Sequence, residues 1–256
     1  MTENIETYIS ESQKVVWAAL SEVGKVRQEN EDSFFISEEL CLFIISDGMG
    51  GHRGGRLASK IVVDDLPVLI ETGLHKLRSQ SPRAIRALLK RSIIEQNRHL
   101  YCESHSETGY VDMGATLVAL LIKDGWAYVA NVGDSPAFRF RNQRLRQISQ
   151  DHTVVSELIE ENKIDTSEAD DHPAQGQITQ YMGMSDLIAP HVRAFRLNRC
   201  DCILLCSDGL TDMLSVKDIR RIIKGEKQSQ AICQNLVKAA NAAGGQDNIT
   251  VVYVCT

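Results

Sequence analysis

The chain has 256 residues, 43% of them hydrophobic, enough to bury a sizeable core and to exclude global disorder. Lysine and arginine number 28 against 34 acidic residues, a net charge of −6, which argues against nucleic acid as the main partner because phosphate-backbone binding needs clustered positive excess. No apolar run approaches the ~18 residues of a membrane span. Residues 1–13 are polar, without an apolar signal core or basic leader, so the cytoplasm is the default compartment.

Taken in chain order, short strands are predicted over 16–21, 33–37 and 41–46. A helix is predicted over 54–69. A second starts at Ser81-Pro82, a cap followed by proline at the first helical position, and Ile85, Leu88, Leu89, Ile93 and Leu100 give it an apolar stripe. Strands over 116–123 and 126–132 flank Asp124-Gly125, a strong hairpin signal. Strands over 137–141 and 145–149 flank Asn142-Gln143. Residues 154–183 are polar and irregular, the composition of a functional loop. A strand over 202–207, helices over 216–223 and 230–243, the second ended by Gly244-Gly245, and a strand over 249–255 complete the pattern. No linker or low-complexity tract interrupts it, so one domain is expected. Antiparallel meanders with helices between them suggest an α+β layered sandwich.

Two features receive a plain structural reading. Arg139-Phe140-Arg141 and Arg144-Leu145-Arg146 read as a solvated strand face. The seven cysteines are odd in number and lie mostly in apolar strand-like runs, so reduced thiols are expected. Cys200, Cys202 and Cys206 alternate at period two and would share one buried strand face; no second Cys or His pair completes a zinc site.

Four aspartates sit where strands end or begin. Asp47 follows Leu42-Phe43-Ile44-Ile45-Ser46, Asp208 follows Ile203-Leu204-Leu205-Cys206-Ser207, Asp134 follows Ala130-Asn131-Val132-Gly133, and Asp247 precedes Asn248-Ile249-Thr250. A carboxylate at the mouth of a buried strand is costly unless its charge is compensated, and several together repel one another. A divalent cation answers both problems, and oxygen ligands select Mg²⁺, Mn²⁺ or Ca²⁺. Glu31-Asp32 adds two more carboxylates, and Gly48 leaves a main-chain carbonyl open to an ion. Arg27 stands four residues ahead of Glu31, a planar fork suited to phosphate oxygens.

These residues, in this order, resemble the metal-dependent protein phosphatase family, the type 2C Ser/Thr phosphatases, in its bacterial branch. The matching segments are 24–32, Ser46-Asp47-Gly48-Met49-Gly50-Gly51-His52, Gly114-Ala115-Thr116-Leu117, Gly133-Asp134-Ser135, Asp151-His152, Ser207-Asp208-Gly209-Leu210 and Gln246-Asp247-Asn248-Ile249-Thr250, spread from Gly24 to Val254. The resemblance implies a four-layer αββα sandwich with two Mn²⁺ or Mg²⁺ ions at one edge. Asp47 would bridge the ions and the Gly48 carbonyl would bind one. Asp208 and Asp247 would complete one shell, with Glu31 and Asp32 serving the other ion, and Asp134 would hold a weaker third ion with Asp208. Arg27 would hold the phosphate. Water activated between the ions would hydrolyse phosphoserine and phosphothreonine in proteins, reversing a cognate Ser/Thr kinase, and a monomer is expected. A catalytically silent pseudophosphatase that binds a phosphoprotein or kinase is the alternative; lost carboxylates would mark it, and none is missing.

The chain departs from the family pattern at three places. Met49 stands where many eukaryotic members have a general-acid His, leaving His52 or a metal-bound water for that role. Pro136 replaces an Arg after Asp134-Ser135. Gln180 replaces an Arg after Thr179, removing positive charge near the flap expected over about 154–183.

Overall fold

The computed structural model describes residues 15–50, 52–106, 113–169, 172–185 and 187–256, without the side chains of His52 and Arg53. In chain order its elements are β1 (Val16–Glu22), β2 (Ser33–Ser37), β3 (Leu42–Ser46), β4 (Gly48–Met49), α1 (His52–Lys76), α2 (Pro82–Ser104), β5 (Gly114–Ala115), β6 (Leu117–Lys123), β7 (Trp126–Val132), β8 (Ala137–Arg141), β9 (Arg144–Gln147), α3 (Val154–Glu160), β10 (His191–Arg196), β11 (Cys202–Cys206), α4 (Asp208–Thr211), α5 (Val216–Gly225), α6 (Ser229–Ala242) and β12 (Ile249–Cys255). One antiparallel sheet has the order β1-β12-β11-β8-β9 and the other β10-β7-β6-β3-β2; β4 and β5 form a small ribbon at the edge.

Residue alternation explains the layering. Along β3 and β6, Phe43, Ile45, Val118 and Leu120 face the opposite sheet, where they meet Ile203, Leu205 and Val252. The alternate residues Leu42, Ile44, Leu117 and Leu121 face α1 and α2. Both faces are covered, so these strands read as continuous apolar runs. On the other side Leu204, Cys206, Val251 and Tyr253 pack against Ile219, Ile232, Leu236 and Val237 of α5 and α6. The result is helices, sheet, sheet, helices: the expected αββα sandwich. Each fully buried Leu or Ile contributes roughly 1.5–3 kcal/mol.

Element ends follow local chemistry. Ser81 caps α2 as expected, its Oγ accepting from the Ala84 N–H at 3.3 Å, with Pro82 in the first turn. α1 runs beyond the expected limit of 69, continuing through Pro67. Its stripe of Ala58, Val62, Leu66, Ile70 and Leu74 is buried throughout and offsets the ~3 kcal/mol a proline costs inside a helix. Residues 154–183 are less irregular than expected, since α3 occupies the first turns, capped by Thr153.

The cysteine reading is corrected. Cys202 and Cys255 lie opposite each other across the β11–β12 ladder and are joined by a disulfide, their Cα atoms 4.1 Å apart. The ladder places two sulfurs in bonding reach that stand 53 residues apart in the chain. Cys200 does not share their face; it precedes the strand in a turn with positive φ and is exposed. Cys41, Cys206 and Cys233 are buried thiols.

Candidate metal centre

The carboxylates gather because the strands that carry them end at one edge of the two sheets. A cavity of about 340 Å³ there is lined by Arg27, Glu31, Asp47, Gly48, Asp134, Asp208 and Asp247, with Met49, Gly50, Thr116 and Ile178 completing its wall. A cavity of about 630 Å³ elsewhere, beside Leu197 and Cys200, is larger but is lined by no Asp or Glu side chain among the described residues. Chemistry and not size singles out the edge site.

Hydrogen bonds fix each segment of the wall. The Asp47 N–H donates to Thr116 Oγ1 at 3.0 Å and its carbonyl accepts from the Thr116 N–H at 2.8 Å. Thr116 Oγ1 also lies 2.6 Å from Ser135 Oγ, beside Asp134. Asn248, buried, reaches across the site: its Nδ2 donates to the carbonyls of Val23 and Glu29, both at 3.0 Å, and its Oδ1 accepts from the Glu31 N–H at 2.8 Å. This single side chain holds the loop bearing Arg27 and Glu31 against the start of β12. Its positioning role escaped the sequence reading, although Asn248 lies inside a matched segment. The loop at Asp134 is tied to residues 152–179 by buried His152, whose Nδ1 accepts from the Gly133 N–H at 3.1 Å. Burial pushes the His152 pKa down, as suits a neutral acceptor.

Backbone contact at the site leaves no room for side chains. A Cβ on Gly48 would stand 2.1 Å from the Gly55 carbonyl oxygen, and one on Gly55 would stand 2.1 Å from Glu31 Oε2. The first turn of α1, the β4 ribbon and Glu31 therefore meet directly. Glu31 lies at the positive end of the helix dipole.

Electrostatics mark the cluster as short of positive charge. Burial, with the coulombic fields of Asp32, Asp208 and Asp247, holds the Asp47 carboxyl well above its ordinary range. Asp47 and Asp208 perturb each other directly, the charge of Asp208 adding to the rise at Asp47. Burial is the first cause for the others too, lifting Asp32 and Asp134 to about 7 and Asp208 to about 6. The neighbouring aspartates push the same way. Among the described residues no three acidic, His or Cys side chains already ring one ion position. The donor set nevertheless fits a hard cation: Asp32 Oδ1, Asp134 Oδ1 and Asp208 Oδ1 are buried with no hydrogen-bond partner.

The placement of the expected residues is uneven. Glu31, Asp47, Gly48, Asp134, Asp208 and Asp247 share the cavity wall. Asp32 does not line it; buried behind, it accepts from Thr250 Oγ1 at 2.6 Å and from Ser207 Oγ at 2.8 Å. Arg27 reaches the wall and pairs with Asp247 at 2.6 Å. His52 begins α1, and its side chain lies outside the described residues.

A paired-sheet sandwich with converging carboxylates and a guanidinium at one edge defines a protein built for hard divalent cations and an anionic ligand. Residues 24–249 match the family model for Protein phosphatase 2C. The chain is 35% identical over 239 residues to protein phosphatase PhpP of Streptococcus pneumoniae, covering 92% of this chain and 95% of that one. It is similar to the solved serine/threonine phosphatase of S. agalactiae, with a TM-score of 0.85, 33% identity, and 94% and 99% of the two chains covered. It is also similar to the catalytic domain of serine threonine protein phosphatase PstP in complex with two manganese ions, with a TM-score of 0.76, 27% identity, and 94% and 97% covered. The chain belongs to the protein phosphatase 2C family.

Proposed function

We propose that the edge cavity holds two Mn²⁺ or Mg²⁺ ions, with a weaker third beside Asp134, and that these serve hydrolysis of phosphoserine and phosphothreonine in proteins. The chain is a protein serine/threonine phosphatase by family. The observation that carries the metal reading is the pair of buried, partnerless carboxylate oxygens on Asp134 and Asp208 in one cavity wall, with that of Asp32 behind it. When bound, the ions supply an acidified water and neutralise phosphate oxygens.

The chain's own residues do the rest. Asp47, the Gly48 carbonyl, Asp208, Asp247 and Glu31 would hold the ions. Asp32 acts from behind the wall, adding negative charge without reaching the cavity. Arg27, exposed and paired at the wall with Asp247, is free to turn its fork to a phosphate. Met49 has no proton to give, so His52 or solvent protonates the leaving alkoxide. Residues 154–183 act as the flap, since Ile178 reaches the cavity and Met182 pairs with Ala115. A protein kinase is the implied counterpart, because its chemistry makes the substrate.

The test is hydrolysis of a phosphothreonine peptide with Mn²⁺ and with EDTA. Turnover that appears with Mn²⁺ and vanishes with EDTA is expected; turnover indifferent to EDTA overturns the reading.

A further inference from the structure

The two arginine clusters lie on an open strand face, as the sequence suggests. β8 and β9 pair with Arg139 opposite Arg146 and Arg141 opposite Arg144. Four guanidinium stems therefore rise from one face of one hairpin. The alternate residues Phe138, Phe140 and Leu145 point the other way, into the core against α5 and α6. That burial fixes the register, so the hairpin cannot slip to separate the like charges.

Little on the molecule neutralises them. Arg141 grips both carboxylate oxygens of buried Asp201. Arg139 lies over the Phe195 ring, 4.9 Å from its centroid, a contact that seats a cation without cancelling its charge. Arg144 and Arg146 are exposed, and their side chains have no ion pair or hydrogen bond among the described residues. Arg139, Arg141, Arg144 and Arg146, with Asn142 at the turn, line a cavity of about 420 Å³. On a chain of net charge −6 this is a local reversal of sign. Like charges held opposite one another cost stability, and an anionic ligand would remove that cost.

We propose that this arginine-walled cavity docks an acidic, Asp- and Glu-bearing peptide segment of the substrate protein, apart from the cavity that takes the phosphoresidue. The word substrate rests on the phosphatase reading; the binding site itself does not. From Asp134 at the metal edge to Arg139 is five residues, a reach of at most about 17 Å when fully extended. An extended substrate would span that distance in about five or six residues. A peptide fits better than a nucleic acid because Phe195, the ring that Arg139 contacts, is already covered and offers a base no platform.

The experiment is fluorescence anisotropy of a labelled, unphosphorylated glutamate-rich peptide, with the full chain in EDTA so that the metal centre takes no part. Saturable binding at low salt that fades with added NaCl is expected, weakened about tenfold or more by the double substitution Arg144→Glu/Arg146→Glu. The absence of saturable binding by the unmodified chain overturns the proposal without any variant. Equal binding by the double variant overturns it too, as does an RNA oligonucleotide of equal charge binding as tightly. With Mn²⁺, an acidic tail placed about six residues from phosphothreonine should lower KM about tenfold in the unmodified enzyme alone, leaving kcat unchanged. If neither peptide is hydrolysed while the acidic peptide still binds, the phosphatase reading fails and the docking site stands.

Discussion

Replacing Asp32 by Asn should stabilise the protein at pH 8 and destabilise it at pH 4. The side chain is only 8% exposed, and burial is the first cause that lifts its pKa from 3.8 to about 7. At 1.36 kcal/mol per pKa unit, the ionised form costs the fold on the order of 4 kcal/mol once both folded and unfolded chains are ionised. The sign follows from proton binding. Between about pH 4 and 7 the folded chain holds the proton more tightly than the unfolded one, so stability falls as pH rises through that window, and the cost is absent below it. Asn keeps an oxygen for the donors Ser207 and Thr250, but sets an amide where Asp32 Oδ1 has no partner. That mismatch costs roughly 1–3 kcal/mol. The net gain at pH 8 in EDTA is then about 1–3 kcal/mol, or about 4–8 °C in Tm near the middle of that range. At pH 4 only the mismatch remains and the order inverts. Excess Mn²⁺ should shrink the advantage at pH 8, because a cation offsets the same charge. Thermal melts of both proteins at the two pH values are sufficient, and parallel pH curves or a lower Tm for the variant throughout would refute the reasoning.

Further outcomes follow from other parts of the site. Asp208→Asn should reduce Mn²⁺-dependent hydrolysis of p-nitrophenyl phosphate by at least ~100-fold, and near-full activity would defeat the two-ion reading. Gly55→Ala brings a methyl against Glu31 and Gly48; calorimetry should show about 1–3 kcal/mol lost and a titration should need more Mn²⁺, whereas an unchanged metal requirement would mean the contact is idle. Arg27→Ala should raise KM for a phosphothreonine peptide about tenfold or more. Its Tm should hardly move, since an exposed ion pair is worth roughly 0–1 kcal/mol. Cys255→Ser removes a crosslink between residues 53 apart, with about 4 kcal/mol as the entropic ceiling; a melt unmoved by reductant would show the disulfide does not form in solution.

Legibility in the sequence tracked burial. The strands covered on both faces, such as β3, β6 and β11, announce themselves as apolar runs. β10 does not, because an edge strand reading His191-Val192-Arg193-Ala194-Phe195-Arg196 buries only part of one face. The four aspartates at the cavity wall, Asp47, Asp134, Asp208 and Asp247, were readable because an aspartate at a strand mouth is costly without compensation. Asp32 was misplaced by one layer, since sequence adjacency to Glu31 says nothing about which neighbour turns inward. Asn248 was overlooked because its work is done by an amide reaching across more than two hundred residues of separation, which no local pattern encodes. The disulfide was missed for a similar reason, as the odd cysteine count conceals a ladder that sets Cys202 opposite Cys255.

β12 fills the gap between β1 and β11, and the aspartate at its threshold completes a wall begun by Glu31. Synthesis delivers these parts in the opposite order to their need: the loop bearing Arg27 and Glu31 emerges early, and the strand that anchors it through Asn248 emerges late. A nascent chain stalled before residue 247 would have neither a finished sheet nor Asp247. Activity should therefore switch on all at once as this strand inserts, and refolding should show recovery of secondary structure well before recovery of turnover.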